Sequence, residues 1–132
     1  MKKILNSYWS FRPFTDEEAW MLFKLAAIAE ACGWTLLIIG ILWQRYITPS
    51  SDIAVQLAGH THGILFMVYI VAALVLSPSL RWTWRRTVIA GLASVPPYGS
   101  LLFELWASHD RQNLRYRHLN SMLIYRSLIS EK

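Results

Sequence analysis

The sequence has few of the residues from which small soluble domains build disulfides, metal sites and charged surfaces. Cys32 is its single cysteine, so neither an intrachain disulfide nor a CxxC metal or redox motif can form. Charged residues make up only 16% of the chain, and no internal repeat or low-complexity tract is visible. The sequence also lacks a nucleophile–base pair, an HExxH-like ligand set and a cleavable signal peptide. These absences argue against an enzyme and against an inverted-repeat transporter within one chain.

Long apolar runs dominate what is present. Hydrophobic residues make up 55% of the 132 residues, and crossing a hydrocarbon core takes roughly 20 apolar residues. Three runs reach that length, at residues 22–43, 53–76 and 87–107. The sequence therefore predicts an all-α, polytopic membrane protein with three transmembrane helices.

Residues outside these runs predict interfacial structure. Residues 1–21 form an N-terminal interfacial segment in this interpretation, with a helix starting near Thr15 and Glu18 at capping-box spacing. Residues 108–132 form a charged amphipathic tail that is too short to cross. Amphipathic aromatic rings settle at the headgroup level. Such rings mark the ends of the runs: Trp43, Tyr46, Trp82, Trp84 and Trp106.

Basic residues indicate the orientation in a bacterial cytoplasmic membrane. The connection 77–86 contains three arginines, whereas the connection 44–52 contains only Arg45, which favours a cytoplasmic N-terminus. Against it, a third crossing would place the basic tail on the opposite side. The formal net charge of +5 is attributed to anionic lipid headgroups, not to nucleic-acid binding.

Ionisable residues within the runs are the candidate functional groups, because a bilayer tolerates them mainly for a reason. At a rise of about 1.5 Å per residue, Glu30, His60, His62 and Glu104 form a ladder from one surface to the middle. With Tyr98 as a hydroxyl donor, they define a predicted polar intramembrane site. His60 and His62 point roughly 200° apart on one helix, so a shared metal would also need a carboxylate or another subunit.

Three roles for this site stay open. The first is helix packing, in which the small pairs Ala29/Gly33 and Gly59/Gly63 bring helices together and a His–Glu hydrogen bond locks them. The second is proton or ion handling. The third is a bound transition metal or haem, with candidate metal ligands His60, His62 and Glu104; the sequence requires no cofactor.

Consecutive prolines predict a distortion of the third helix. Pro96 and Pro97 remove backbone donors, so with Gly99 they should kink or break the helix near its middle. The freed carbonyls either line a cavity or simply fit the bundle. Tyr98 would then donate to a histidine or to one of these carbonyls.

Three stretches resemble the YdzA-like integral membrane proteins, small bacterial proteins with three predicted membrane helices and a His-Gly signature. They are AEACG around Glu30, GHTHGILFMVY in the second run and ASVPPYGSLLFE in the third. His62-Gly63 matches the signature, and Pro97-Tyr98-Gly99 matches the third-helix string with tyrosine for phenylalanine. Ala31 replaces the glycine expected after the acid. The resemblance implies the fold and these residues, but no activity.

The predicted function is a self-associating membrane protein with an intramembrane His/Glu site, acting as a channel or proton-coupled carrier of a small ion. Several copies would have to contribute, since three helices enclose too little volume for a pathway. The alternatives are an accessory subunit of a larger membrane complex and a metal- or haem-binding membrane protein. The predicted partners are the lipid bilayer, further copies and that larger complex.

Overall fold

The computed structural model describes residues 1–130, and this part of the chain contains five α-helices and no strand. α2 and α3 form an antiparallel pair with the largest helix–helix contact, and α5 packs against α2. The helices are α1 (Lys2–Ser10), α2 (Asp16–Tyr46), α3 (Ile53–Leu76), α4 (Trp84–Ala93) and α5 (Gly99–Ser130).

A capping box starts α2. The Thr15 hydroxyl accepts from the Glu18 amide at 3.3 Å, and the Glu18 carboxylate accepts from the Thr15 amide at 3.0 Å. Acidic residues in the first turn, Asp16 among them, complement the positive end of the helix dipole. The helix therefore begins in the predicted interfacial segment, which it shares with α1, and runs on through the first apolar run.

Two helices are long and apolar enough to cross a membrane, α2 with 31 residues and α3 with 24. At about 1.5 Å per residue they measure about 46 and 36 Å, against a core about 30 Å thick. The bounds of α3, Ile53–Leu76, are those of the second predicted run. Much of the apolar surface of both helices faces outward, as in helices solvated by lipid.

The third predicted helix, 87–107, is not a single helix. Its place is taken by a hairpin of α4 and α5, in which Arg86 Nη1 bonds Asp110 Oδ2 at 3.0 Å. The Trp82 and Phe103 ring centroids lie 5.4 Å apart. In one continuous helix, residues 86 and 110 would be separated by about 36 Å. The chain thus reverses where a kink was predicted, and α4, with 10 residues, is only about 15 Å long.

The reversal occupies residues 94–98. Ser94 closes the end of α4 by donating from its hydroxyl to the Gly91 carbonyl at 2.6 Å, and Tyr98 adopts a positive φ of 60°. A Cβ on Gly99 would lie 2.0 Å from the Ala93 carbonyl oxygen and 2.8 Å from Pro96 Cγ. The two prolines cannot donate to a helical ladder, and only glycine fits the close approach that follows them.

The core lies toward one end of the bundle, where Phe23 contacts Tyr69, Trp82 and Phe103. Arginines close this end, which we call the arginine end; it comprises Asp16, Trp20, Arg86, Asp110 and Arg111. Arg111 bonds Asp16 at 2.6 Å and lies over the Trp20 ring. Beyond it, residues 112–130 of α5 extend outward and are exposed on every side. The last two residues of the predicted tail, Glu131 and Lys132, lie outside the described residues.

Candidate functional site

Glu30 is the most deeply buried charged group of the described chain, at 0% exposure. It lies on the α2 face that also buries Phe23 and Ala27, at helical spacings of seven and three. Fourteen residues separate it from Asp16, which places it about 21 Å along α2 from the arginine end. The carboxylate therefore lies well inside a bilayer that α2 would cross.

Ser100 is the partner of Glu30. Its hydroxyl donates to Glu30 Oε2 and lies 3.4 Å from the Ala27 carbonyl. Buried residues on α5 at spacings of three, four and seven from Ser100 form the face that packs on α2: Phe103, Glu104 and Ala107. Glu30 Oε1 has no hydrogen-bond partner among the described residues. Glu30 Oε2 is thus hydrogen-bonded to the hairpin, while Oε1 is buried without a partner among the described residues.

His62 supplies a second unpartnered buried atom, its Nδ1, which also has no partner among residues 1–130. The ring packs against Trp34 with centroids 4.4 Å apart. A Cβ on Gly33 would lie 3.1 Å from His62 Nδ1, so the glycine lets α3 bring the imidazole onto α2. Gly33 and Trp34 follow Glu30 by one helical turn, so His62 of α3 contacts the turn of α2 that follows Glu30.

The hairpin turn is tied to α2 at the same depth. Trp34 Nε1 donates to the Ser94 carbonyl at 3.4 Å, and Thr35 Oγ1 lies 3.0 Å from the Tyr98 hydroxyl. Tyr98 thus pairs with Thr35, not with a histidine or a helix carbonyl as the sequence suggested. Together, Ser100, Ser94 and Tyr98 anchor the tip of the hairpin beside Glu30 and His62.

His60 is not part of this cluster. Its ring lies on another side of α3 and is exposed, and its Nδ1 bonds the Gln56 carbonyl at 2.7 Å. The divergence of His60 and His62 follows from their two-residue spacing on one helix. The predicted site therefore separates into two places on α3.

Glu104 lies on α5, after the chain reversal, and not on one continuous third helix as the sequence predicted. It is 2% exposed, on the α5 face toward α2. Because α5 runs back toward the arginine end, Glu104 follows the hairpin tip on the return. The predicted depth of Glu104 assumed one continuous third helix, and the structure divides that segment into α4 and α5.

The metal candidates do not converge either. No group of three or more His, Cys, Asp or Glu side chains within residues 1–130 is placed to hold a metal ion. His60 faces outward, whereas His62 and Glu104 are on different helices of the bundle. The described geometry therefore gives no support to a site formed by His60, His62 and Glu104.

Glycine packing also differs from the prediction. Gly33 contacts α3, as does Gly40, where a Cβ would lie 2.8 Å from Ala58 Cβ. Gly59 and Gly63 have nothing within 4 Å of a Cβ, so they bring no helix within residues 1–130 closer. Ala29, paired with Gly33 in the prediction, lines the same open groove as Gly59 and Gly63.

Sequence reasoning missed Ser100, Trp34 and Thr35. A usable signal existed for two of them: Ser100 precedes Glu104 by four residues, and Trp34 follows Glu30 by four, so each shares a helix face with a predicted site residue. The contact between these two faces depends on the chain reversal, which helix periodicity does not encode.

Comparisons with known proteins identify a family and a relative that is named as a membrane protein. Residues 20–109 match the model of a family described as a domain of unknown function (DUF3817). A Streptomyces coelicolor protein named "Putative membrane protein SCO5905" is 38% identical over 86 residues, which cover 64% of this chain and 10% of that protein. The chain thus spans about a tenth of the length of this curated relative. No solved structure matches.

The two apolar helices of spanning length and the membrane relative define a helical membrane protein. The family match covers more than half of the chain, so the protein belongs to the family of the domain of unknown function DUF3817. The YdzA-like resemblance agrees with this class of small membrane proteins without an assigned function. The particular YdzA-like assignment stays a prediction.

Proposed function

We propose that the protein binds and releases a proton or a small monovalent cation at Glu30, inside the bilayer. The observation that carries this proposal is the burial of Glu30 at 0% exposure with Oε1 unpartnered among the described residues. An ionised carboxylate removed from water is costly unless its charge is compensated. A proton or a small cation supplies that compensation, and His62 offers a second base one turn along α2.

Transport is the extension of this proposal. The α4–α5 hairpin supports it, because a broken helix at membrane depth is a common way to line an ion site with backbone oxygens and side-chain hydroxyls. Three inserted segments leave little room for a complete pathway. A channel or proton-coupled carrier would therefore be formed by several copies.

Infrared spectroscopy of the protein in lipid vesicles tests the Glu30 site. A protonated carboxyl group in an apolar setting has a carbonyl stretch apart from the amide bands, so its amplitude should follow pH. Glu30→Gln should remove the Glu30 component of this band, and Glu104→Gln identifies the contribution of the second buried carboxyl group, whereas Glu17→Gln, at the exposed start of α2, should leave the band unchanged. Sodium in place of a large organic cation at constant pH distinguishes cation from proton binding, since only a bound cation depletes the band. A pH-independent spectrum that Glu30→Gln does not alter would refute the site.

The hairpin also supports a topology, which we propose as two crossings by α2 and α3 plus a re-entrant α4–α5 hairpin, with both chain ends in the cytoplasm. Arg45 is the single lysine or arginine between Lys24 and Arg81. The reversal brings Arg86 and Arg111 to one end. The tail arginines that argued against a cytoplasmic N-terminus then lie on the same side as the others, in keeping with the positive-inside rule.

Cysteine accessibility in intact cells tests this topology in a Cys32→Ser background. A cysteine at Ser50, in the α2–α3 connection, should react with a membrane-impermeant thiol reagent from outside. A cysteine at Ser121, in α5, should react only after the cells are opened. Three crossings would instead expose both positions, and labelling of Ser121→Cys in intact cells would exclude the hairpin topology.

A second candidate function is favoured by the Streptomyces coelicolor relative. There the matched segment is a tenth of a much longer protein named as a membrane protein, so in that protein the domain is accompanied by other structure. A module that associates with a larger membrane assembly fits this observation. Blue-native electrophoresis of gently solubilised membranes distinguishes the two: a band well above any small homo-oligomer supports the module.

A further inference from the structure

An open groove of about 1230 Å³ runs along the outer side of α2 and α3. Its α3 wall consists of two neighbouring rows of residues, each spaced by four. One row begins with Val55, Gly59 and Gly63, and the other with Gln56, His60 and Ile64. Rows spaced by four are the ridges through which helices of one chain interlock with those of another at a right-handed crossing.

No atom of the described chain fills the space above Gly59 and Gly63 on this ridge. A Cβ built on Gly59 or on Gly63 meets no atom within 4 Å, whereas Gly33 and Gly40 are closed over by α3. Since the groove lies within the length of the helix that crosses the membrane, lipid chains or another protein must occupy it. The glycines let a second backbone approach closely.

Two polar side chains stand beside the glycines and argue against lipid alone. The His60 ring and the Gln56 side chain are exposed at membrane depth, where polar groups without partners are costly. The backbone carbonyl of Gln56 accepts from His60 Nδ1, so Nε2 of the neutral ring is a free acceptor. The side-chain amide of Gln56 can donate, so the ridge presents both a hydrogen-bond donor and a hydrogen-bond acceptor.

The α3 ridge, with its donor and its acceptor, is complementary to the same ridge of a second copy. Two copies that insert in the same direction and are related by a twofold axis along the membrane normal bring parallel α3 helices together. Gly59 then faces the Gly59 of the second copy, and Gln56 of each chain can donate to His60 of the other. Reciprocal hydrogen bonds of this kind satisfy both polar groups at once, which an apolar partner helix cannot do.

We propose that this α3 ridge is an interface with a second copy of the chain, formed by Gly59 and Gly63 and flanked by reciprocal Gln56–His60 hydrogen bonds. The inference goes beyond the Glu30 site and does not depend on it, because Glu30 is buried against Ser100 of α5 and does not line the groove. It requires only that α3 spans the bilayer.

Thiol cross-linking in isolated membranes tests the interface, using the full chain with Cys32→Ser. Ile64→Cys places a thiol in the ridge. Ile28→Cys on α2 is the control, because its side chain is also exposed (66% for Ile64 and 41% for Ile28) but does not line the groove. A short bifunctional thiol reagent should convert most of the Ile64→Cys protein into a dimer and leave Ile28→Cys monomeric. Equal cross-linking at both positions, or none at Ile64→Cys, would overturn the proposal.

Gly63→Leu tests the role of the glycines in the Ile64→Cys protein. The space around Gly63 is open, so the monomer should keep its fold and its thermal unfolding profile, while dimer cross-linking falls at least tenfold. Gln56→Leu should lower cross-linking less, by a few-fold. Unchanged cross-linking in Gly63→Leu would refute the interface, as would a product of Ile64→Cys whose mass shows an unlike protein. Glu30→Gln should leave the dimer intact, which separates this result from the fate of the Glu30 site.

Discussion

Two pairs of glycines, each on one face of an apolar helix, differ completely in their surroundings in the fold. Gly33 and Gly40 on α2 are closed over by α3, with His62 Nδ1 and Ala58 Cβ at 3.1 and 2.8 Å from a built Cβ. Gly59 and Gly63 on α3 have open space above them. Small residues in membrane helices mark close approach. The packed pair therefore serves the fold, and the open pair is the one that we assign to the interface with a second copy.

The strongest test of this comparison uses the hairpin. Gly99→Ala should be the most damaging substitution, because its Cβ would lie 2.0 Å from the Ala93 carbonyl oxygen and the backbone has no room to yield. We expect a loss of more than about 3 kcal/mol in the free energy of unfolding. Unfolding in mixed micelles measures it, with Gly59→Ala as the control that should change by less than about 0.5 kcal/mol. Equal effects at the two positions would contradict the hairpin.

The α2–α3 contact is the next most sensitive. Gly40→Ala forces a methyl group to within 2.8 Å of Ala58 Cβ and 3.0 Å of the Ala54 carbonyl, so the two helices must separate locally. The expected cost is about 1–3 kcal/mol, typical of overpacking. Gly63→Ala, measured by the same assay at dilutions that keep the protein monomeric, should cost almost nothing. A larger effect for Gly63→Ala would mean that the open pair also serves the fold.

Ser100→Ala examines the polar side of the packed region. Removing the hydroxyl leaves Glu30 Oε2 without its donor in a buried place, which should cost about 1–2 kcal/mol. Ser108→Ala is the matched control on α5, because Ser108 bonds only the Leu105 carbonyl of its own helix. The infrared band of Glu30 should also shift in Ser100→Ala and not in Ser108→Ala. If both serines behave alike, the contact between Ser100 and Glu30 does not stabilise the hairpin.

The helices could be predicted more completely than their arrangement. Length and hydropathy located α2 and α3, and the prolines at 96 and 97 located the interruption, because these properties are local. The chain reversal was beyond such reasoning, since a break of a few residues can either bend a helix or turn it back. Its direction depends on long-range contacts such as Arg86 with Asp110 and Ser100 with Glu30.

The same limit applies to the candidate site. Depth along one helix could be predicted from residue spacing, so Glu30 and His62 were identified as ionisable groups within the apolar runs. The depth of Glu104 was counted along one continuous helix at 87–107, and the structure divides that segment into α4 and α5. The sequence also did not show whether a glycine packs against another helix of its own chain or faces open space, because helix periodicity gives the same pattern for Gly33 and for Gly63.

The smallest effect is expected at the arginine end. Arg111 bonds Asp16 and Glu17, but their side chains are 58% and 74% exposed, and exposed ion pairs contribute little. Arg111→Ala should therefore lower the free energy of unfolding by about 1 kcal/mol or less, including the lost contact with Trp20. Arg86→Ala should cost more, because Arg86 lies over both Trp82 and Trp106 and its pair with Asp110 closes the hairpin. Raising the salt concentration should reduce the Arg111 effect further, since salt screens exposed charges. If Arg111→Ala were instead the more damaging of the two, the arginine end would be held by α2 and α5 alone, and the α4 arm would contribute little to it.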